Sequence, residues 1–457
     1  MDVHGNSAAA SRRDFLQTTA VTLGGAVLLS PRLATGAYAA GGGEIKIALV
    51  GCGARGTGAA AQALSVSQPV KLWAMADAFA DRLEGSLAEL NTGSAGSYNL
   101  KKGGSGFGSA IEVPPERRFV GLDAYRKAID SGVDVVIITA PPGFRPMHFD
   151  YAVAAGKHVF MEKPVATDAA GVRRVLAAAE TAKQKNLKIG VGLQRRHDAS
   201  YQEAIQRIRD GELGRVVTLR AYWNSGPPAK RPIARGDMTE FEYQVRNWYF
   251  FDWLSGDHIV EQHIHNLDVC NWVQGAYPVV AEGMGGRQVR TGKEYGNIFD
   301  HHAVEFTYAD GTKMFSQCRQ IPGCVNRVAE FVDATEGAAE LSQRGGIFSR
   351  EGKRYWRSEK RHGAENISPY QVEHNVLFDA IVNDTPHNEA RNGALSTMTA
   401  VLGRLATYSG KSVGWDEALA SDKVLTTDAE SWNAATPVSR QSDGSYAVAV
   451  PGVTNAV

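Results

Sequence analysis

Short apolar runs alternate with helix-like stretches through the first half of the chain. The runs fall at 45–50 (Ile-Lys-Ile-Ala-Leu-Val), 70–76, 133–139, 157–161 and 188–191, each followed by Gly, Pro or Asp. Ala- and Leu-rich segments with helical spacing, such as 169–184, lie between them. This rhythm predicts a doubly wound parallel sheet with helices on both faces. After Gln194 the pattern changes. Segments 215–223, 303–308 and 312–317 mix apolar with alternating polar positions, which predicts longer antiparallel strands with one solvated face. The fold class expected is α/β, an N-terminal parallel-sheet domain followed by an α+β domain with a large open, mostly antiparallel sheet. The boundaries expected are 41–193 and 194–435, with a polar tail at 436–457 running along the surface. Two stretches fit neither pattern. Residues 91–115 are rich in Gly and Ser and read as a surface insertion or a lid. Residues 224–251 form a Pro- and aromatic-rich connection.

The first 40 residues stand apart from the fold. Ser11-Arg12-Arg13-Asp14-Phe15-Leu16 precedes an uncharged stretch from Thr18 to Ser30, and small residues follow at Ala37-Tyr38-Ala39-Ala40. That order is the order of a secretory leader, and the paired arginines resemble a twin-arginine (Tat) signal. The expectation is export to the periplasm through the Tat machinery. The apolar stretch is too short for a stable membrane span. An exported enzyme meets little free dinucleotide, so a bound one is expected to travel with it.

Composition narrows the class without choosing a function. The chain has 457 residues, 43% hydrophobic and 21% charged, as in soluble globular proteins. Lys plus Arg and Asp plus Glu both number 49, so nothing points to a nucleic-acid partner. Four cysteines do not make a disulfide framework, although Cys318 and Cys324 flank a Pro-Gly loop where they could pair.

The first chemistry lies directly after the first apolar run. Gly51, Gly53 and Gly56 form Gly-x-Gly-x-x-Gly at a strand-to-helix junction, with Ala54 and Arg55 between them. The spacing provides a tight turn, close backbone approach to a pyrophosphate and close helix packing. Asp77 ends the second run, where a carboxylate accepts bonds from ribose hydroxyls and repels a 2′-phosphate. NAD is therefore expected over NADP, although Arg82 could soften the preference. Thr139, Pro141 and His148 follow the next strand, and Glu162-Lys163-Pro164 the one after, all at the carboxyl edge where such sheets bind ligands. A lysine held there beside a nicotinamide is suited to acid–base work.

These residues resemble the Gfo/Idh/MocA oxidoreductases, named for glucose–fructose oxidoreductase and inositol dehydrogenase. The resemblance runs from about Ile45 to Thr407. It implies an N-terminal Rossmann domain, a C-terminal domain whose open sheet often mediates oligomerisation (dimer or tetramer), and Lys163 near both nicotinamide and reacting hydroxyl. It also sets Gln194-Arg195-Arg196-His197 where members open the substrate domain with an Arg-containing segment, which makes Arg196 a substrate candidate. Many members carry Asp-x-Gly-x-His-x-x-Asp in the second domain. Here His265 matches the His, whereas Glu261 replaces the Asp and His263 the Gly.

The segment from Ser255 to Asp268 predicts one helix with His258, Glu261, His265, Asp268 and Trp272 on a single face. The reading assigns His265 as the base that removes a hydroxyl proton. Glu261 orients its ring and Lys163 stabilises the alkoxide. His258, Tyr249 and Trp253 are expected to contact substrate, the aromatics by stacking on sugar C–H faces, with core packing as the alternative. A metal held by His258, Glu261 and His265 with His301 and His302 is a competing reading, but no metal motif accompanies it. The substrate expected is a carbohydrate or cyclitol hydroxyl, oxidised by hydride transfer to NAD. The alternatives are a redox-neutral glycosidase, lyase or epimerase that keeps its cofactor, and a non-catalytic sensor.

Overall fold

Ile45, Ile47, Ala48 and Leu49 are fully buried because their strand lies in the middle of a sheet covered on both faces. The computed structural model describes residues 43–93, 106–228, 230–342, 345–359, 366–455 and 457. The expected leader and residues 94–105 of the Gly/Ser-rich stretch lie outside them.

The first sheet holds β1 (Ile45–Val50), β2 (Val70–Asp77), β3 (Arg118–Val120), β4 (Val135–Ile138), β5 (His158–Met161) and β6 (Ile189–Val191). Its order is β3-β2-β1-β4-β5-β6, all parallel. Only β3 escaped the apolar pattern, being three residues long and partly exposed. The pleat sends alternate residues to opposite cores. Ala48, Val50, Val136 and Ile138 join one core, and Ile47, Leu49, Val135 and Ile137 join the other. The strand order reverses between β1 and β4, so the crevice of a doubly wound sheet opens at their carboxyl ends.

The second sheet holds β7 (Val216–Ser225), β8 (Val280–Gly286), β9 (His301–Thr307), β10 (Lys313–Gln320), β11 (Arg327–Ala334), β12 (Gly337–Leu341), β13 (Gly346–Ser349), β14 (Arg354–Arg357) and β15 (Val413–Gly414). Its order is β14-β13-β12-β11-β7-β10-β9-β8-β15, and every pair is antiparallel except β7 with β10. Buried positions alternate along β9 and β10, so one face meets the helices.

The chain returns to the first sheet near its end. The helix Pro369–Val382 puts Leu377, Phe378 and Ile381 into the core that holds Ile47 and Leu49. The tail is less superficial than its polarity suggests. Tyr446 is buried edge-on against Phe251, its hydroxyl donating to Glu240 Oε1 at 2.7 Å. Ahead of it, Trp432 stacks on Phe79, and Glu430 accepts from Tyr125 and Arg126.

Candidate active site

The turn after β1 is shaped by what glycine lacks. Gly51 has φ +98°, and a Cβ there would lie 2.4 Å from the Ala140 nitrogen. A Cβ on Gly56 would lie 1.9 Å from the Gly51 oxygen. Gly53 faces open space instead, and it caps the helix Ala54–Ala63 with no side chain on the free N–H groups. An anion has room and donors there. The surrounding cleft has a volume of about 300 Å³. Gly51, Gly53, Ala54, Arg55, Gly56, Asp77, Thr139, Pro141 and His148 all line it, so the structure gathers these sequence-predicted residues in one place.

Within the cleft several side chains support its walls. Asp77 accepts from the Cys52 N–H at 2.6 Å and the Phe79 N–H at 2.9 Å, and burial raises its pKa while these bonds pull it back. Thr139 Oγ1 donates to the Gly51 oxygen at 2.5 Å. His148 stacks on Tyr125 at 4.2 Å, and burial pushes its pKa down to about 3, so the ring is neutral. Arg55 pairs with Glu162 and Glu373, and Glu162 is itself buried. Burial opposes the Glu162 charge, but Arg55 and Lys163 outweigh it and hold the carboxyl below its usual range. Glu162 therefore anchors the turn through Arg55 and offers no free carboxylate to a cofactor, contrary to its expected contact role.

Lys163 and Glu162 are not among the residues that line this cleft, and the neighbourhood of Lys163 is assembled from distant parts of the chain. Lys163, just beyond the end of β5, donates to the Glu261 carbonyl at 2.5 Å and to Glu261 Oε1 at 3.1 Å. Both side chains keep some exposure, 12% and 16%. His265 stacks on Trp223 of β7 at 5.9 Å, and Arg195 lies 5.8 Å from that indole. Burial, then the Lys163 ammonium, hold the His265 imidazole well below its usual value. The ring is therefore neutral, with a buried Nδ1 that has no hydrogen-bond partner, and it feels the charge of the Lys163 ammonium. Arg195 is fixed by Glu330, which also accepts from Tyr201 and Asn266.

The single helix expected from Ser255 to Asp268 is broken. Helical turns at Asp252–Ser255 and His258–Glu261 precede the helix Ile264–Gln274. Gly256 and Asp257 between them have φ +79° and +71°, which no right-handed helix accepts. The predicted shared face is therefore interrupted at Gln262 and His263, which separate His258 and Glu261 from His265, Asp268 and Trp272 on the following helix. Glu261 turns to Lys163 and does not orient His265. His258 is buried at 1% exposure, edge-on to His302 at 4.9 Å, so it is not placed to touch substrate. The predicted metal set is split in the same way. Asp257, His258 and His302 instead bring one ligand atom each within 4.8 Å. Asp257 Oδ2 lies 3.3 Å from His302 Nε2 and accepts from Tyr408 and the Phe299 N–H, an arrangement that pins the break.

Three further expectations change. Trp253 is fully buried, its indole N–H donating to Gln244 at 2.7 Å, so it packs the core and offers no stacking face. Tyr249 is 4% exposed, and its hydroxyl accepts from Gln320 at 2.7 Å. The Arg196 guanidinium forks onto Asp268, 2.8 Å on each arm, and so ties two helical segments together. All four cysteines are free, and Cys318 and Cys324 do not pair. Sequence reasoning missed Tyr125, Lys230, Arg246 and Trp248 as cleft residues. Lys230 sits on irregular chain and Arg246 ends the short helix Glu240–Arg246, within a connection where no long periodicity marks a side chain's direction.

Comparison with known proteins agrees with this architecture. Residues 45–192 match the oxidoreductase family's NAD-binding Rossmann fold, and residues 201–325 match the Gfo/Idh/MocA C-terminal domain, together more than half of the chain. An inositol 2-dehydrogenase from Acidiphilium cryptum is 35% identical over 144 residues, 31% of this chain and 42% of that protein. The chain thus spans less than half the length of that curated relative. An aldose–aldose oxidoreductase from Caulobacter crescentus, crystallised with glycerol, superposes with a TM-score of 0.62 at 19% identity, covering 81% of this chain and all of the other. A scyllo-inositol dehydrogenase from Lactobacillus casei, solved with NAD(H) and scyllo-inositol, gives 0.58 at 20% identity over 82% of this chain and 100% of its own. Glycine turn, cleft and two-sheet architecture belong with these matches: the chain is a member of the Gfo/Idh/MocA oxidoreductase family and carries an N-terminal NAD-binding Rossmann domain.

Proposed function

We propose that this protein oxidises a secondary hydroxyl of a cyclitol or sugar, with Lys163, His265 and Glu261 as the working group. The observation that carries the reading is the neutral, buried His265 beside the Lys163–Glu261 pair, at the carboxyl edge of the NAD-binding sheet. A neutral imidazole accepts the hydroxyl proton. The Lys163 ammonium stabilises the alkoxide as it forms, and Glu261 holds that ammonium in place. Bound NAD supplies the hydride acceptor. The product is the ketone, with the proton left on His265. Inositol 2-dehydrogenase and aldose–aldose oxidoreductase among the relatives support a polyol or sugar substrate.

The test is NADH formation from a panel of inositols and aldoses. Lys163→Met should lower kcat by about a thousandfold, within the span of acid–base and electrostatic contributions, with NAD affinity retained. Wild-type turnover in that variant removes the assignment.

Export through the twin-arginine leader belongs to the same proposal. Replacing Arg12 and Arg13 with Lys should keep the protein in the cytoplasm. The outer face of the second sheet, with Phe315 at 44% exposure and the Tyr222–Phe331 ring pair on neighbouring strands, supports a homo-oligomer, which light scattering on the purified protein would measure.

A further inference from the structure

The dinucleotide cleft is roofed by the irregular connection that follows β7. Lys230, Arg246 and Trp248 of this connection line the same cleft as Gly53 and Asp77. The roof is pinned to the first domain. Arg246 pairs with Asp81 at 3.1 Å and lies over the Phe79 ring at 3.8 Å. Thr239, at the start of the helix Glu240–Arg246, donates to the Trp432 carbonyl at 2.8 Å, and Trp432 stacks on Phe79.

Four cations line this cleft: Arg55, Arg82, Lys230 and Arg246. Arg55 is paired with Glu162 and Glu373, Arg82 lies 3.9 Å from Asp81, and Arg246 is paired with Asp81 and Glu242. Among the described residues Lys230 has no carboxylate within ion-pair distance. Its ammonium rests on the Trp248 ring at 4.0 Å. An aromatic face holds a cation in place without neutralising it. The surrounding charges that act on it are Glu261 on the substrate side and Arg82 and Asp77 on the ribose side. The ammonium thus lines the same cleft as the bare helix N-terminus at Gly53 and the Asp77 carboxylate, and feels the Glu261 charge as well. In a dinucleotide bound to such a turn the pyrophosphate sits at the helix N-terminus, between the ribose and the nicotinamide.

We propose that Lys230 is a pyrophosphate-contacting residue, supplied by the second domain to close the cofactor cleft. The inference rests on NAD filling this cleft. Its consequence is that the second domain contributes, through Lys230, to how tightly the cofactor is held.

The experiment compares full-length wild type, Lys230→Met and Lys230→Arg, with ADP-ribose, adenosine, NAD and NADP as probes. Met keeps the stem on Trp248 and deletes the charge. Lys230→Met should bind ADP-ribose and NAD about tenfold to a hundredfold more weakly, as for a lost charge-assisted phosphate bond. Adenosine affinity and the NAD-to-NADP ratio should stay as in wild type, and Lys230→Arg should recover most of the loss. Equal weakening for adenosine would mean damage to the cleft and overturn the assignment. A changed NAD-to-NADP ratio would move the contact to the 2′ position and also overturn it. Unchanged ADP-ribose affinity with reduced kcat would give Lys230 to the substrate and sink the proposal alone. Wild-type protein that binds no ADP-ribose would instead bring down the cofactor reading beneath it.

Discussion

The cofactor cleft and the proposed substrate wall around Lys163 are built in opposite ways. The cofactor wall is mostly backbone. It uses one contiguous turn, Gly51 to Gly56, and a carboxylate 26 positions after Gly51 that is itself tied to the turn through the Cys52 N–H. The substrate wall is mostly side chains from remote places. Lys163 meets Glu261 across 98 residues, and Arg195 meets Glu330 across 135. A backbone site is fixed by local geometry and tolerates little covalent change. A side-chain site depends on packing and buried polar pairing, so it is sensitive to protonation.

The largest effect should come from breaking the first wall. Gly51→Val places a branched side chain at φ +98° and against the Ala140 backbone. The expected cost is at least ~3 kcal/mol of stability, with cofactor binding lost, read by denaturant unfolding and NADH fluorescence. Near-wild-type stability would show that the turn relaxes and that the wall is less rigid than its geometry implies.

Acid should separate the walls next. His263 is fully buried on the second wall, and burial pushes its pKa down to about 3. His258 and His265 are likewise held well below their usual values by burial. The unfolded chain binds these protons near pH 6.5 and the folded chain does not, so stability falls as pH drops below about 6.5. Each such group should cost ~2 kcal/mol by pH 5. Hydrogen exchange at pH 5 should therefore loosen residues 255–275 before residues 45–77. The reverse order would contradict the contrast. His148, stacked in the cofactor cleft and also neutral, makes the first wall's smaller share.

The smallest effect probes the first wall's main polar side chain. Asp77→Asn should weaken NAD by about tenfold, near 1.4 kcal/mol, and narrow its preference over NADP. Titrating both dinucleotides checks this, and unchanged affinities would remove Asp77 from the ribose.

The legibility of the sequence follows the same divide. Five of the six strands of the first sheet were readable as apolar runs because each is largely buried and bounded by turn residues. The glycine turn was readable because its constraint is local. The Lys163 position was readable because it lies just beyond the end of a strand. The segment around His265 was misread in an informative way. Helical spacing grouped His258, Glu261 and His265, but the turn His258–Glu261 ends at Gln262, ahead of the helix that carries His265, and the positive-φ residues Gly256 and Asp257 break the chain once more before His258. Aspartate in that conformation is uncommon, and what holds it there is a contact with His302, 45 positions away. Trp253 and Tyr249 looked like sugar platforms because aromatic density is the same signal for a core and for a binding face.

By itself, the sequence determined the parallel sheet, the dinucleotide turn with Asp77, the lysine just beyond the end of β5 and the antiparallel character of the second half. These depend on periodicity and on φ requirements that neighbouring residues carry. Only the tertiary structure decided that Glu261 serves Lys163 and not His265, that Arg196 is spent on Asp268, and that Lys230 lines the cofactor cleft. Those assignments depend on which buried charge finds which partner. That choice is made by the packing of segments tens to hundreds of residues apart, and no local pattern encodes it.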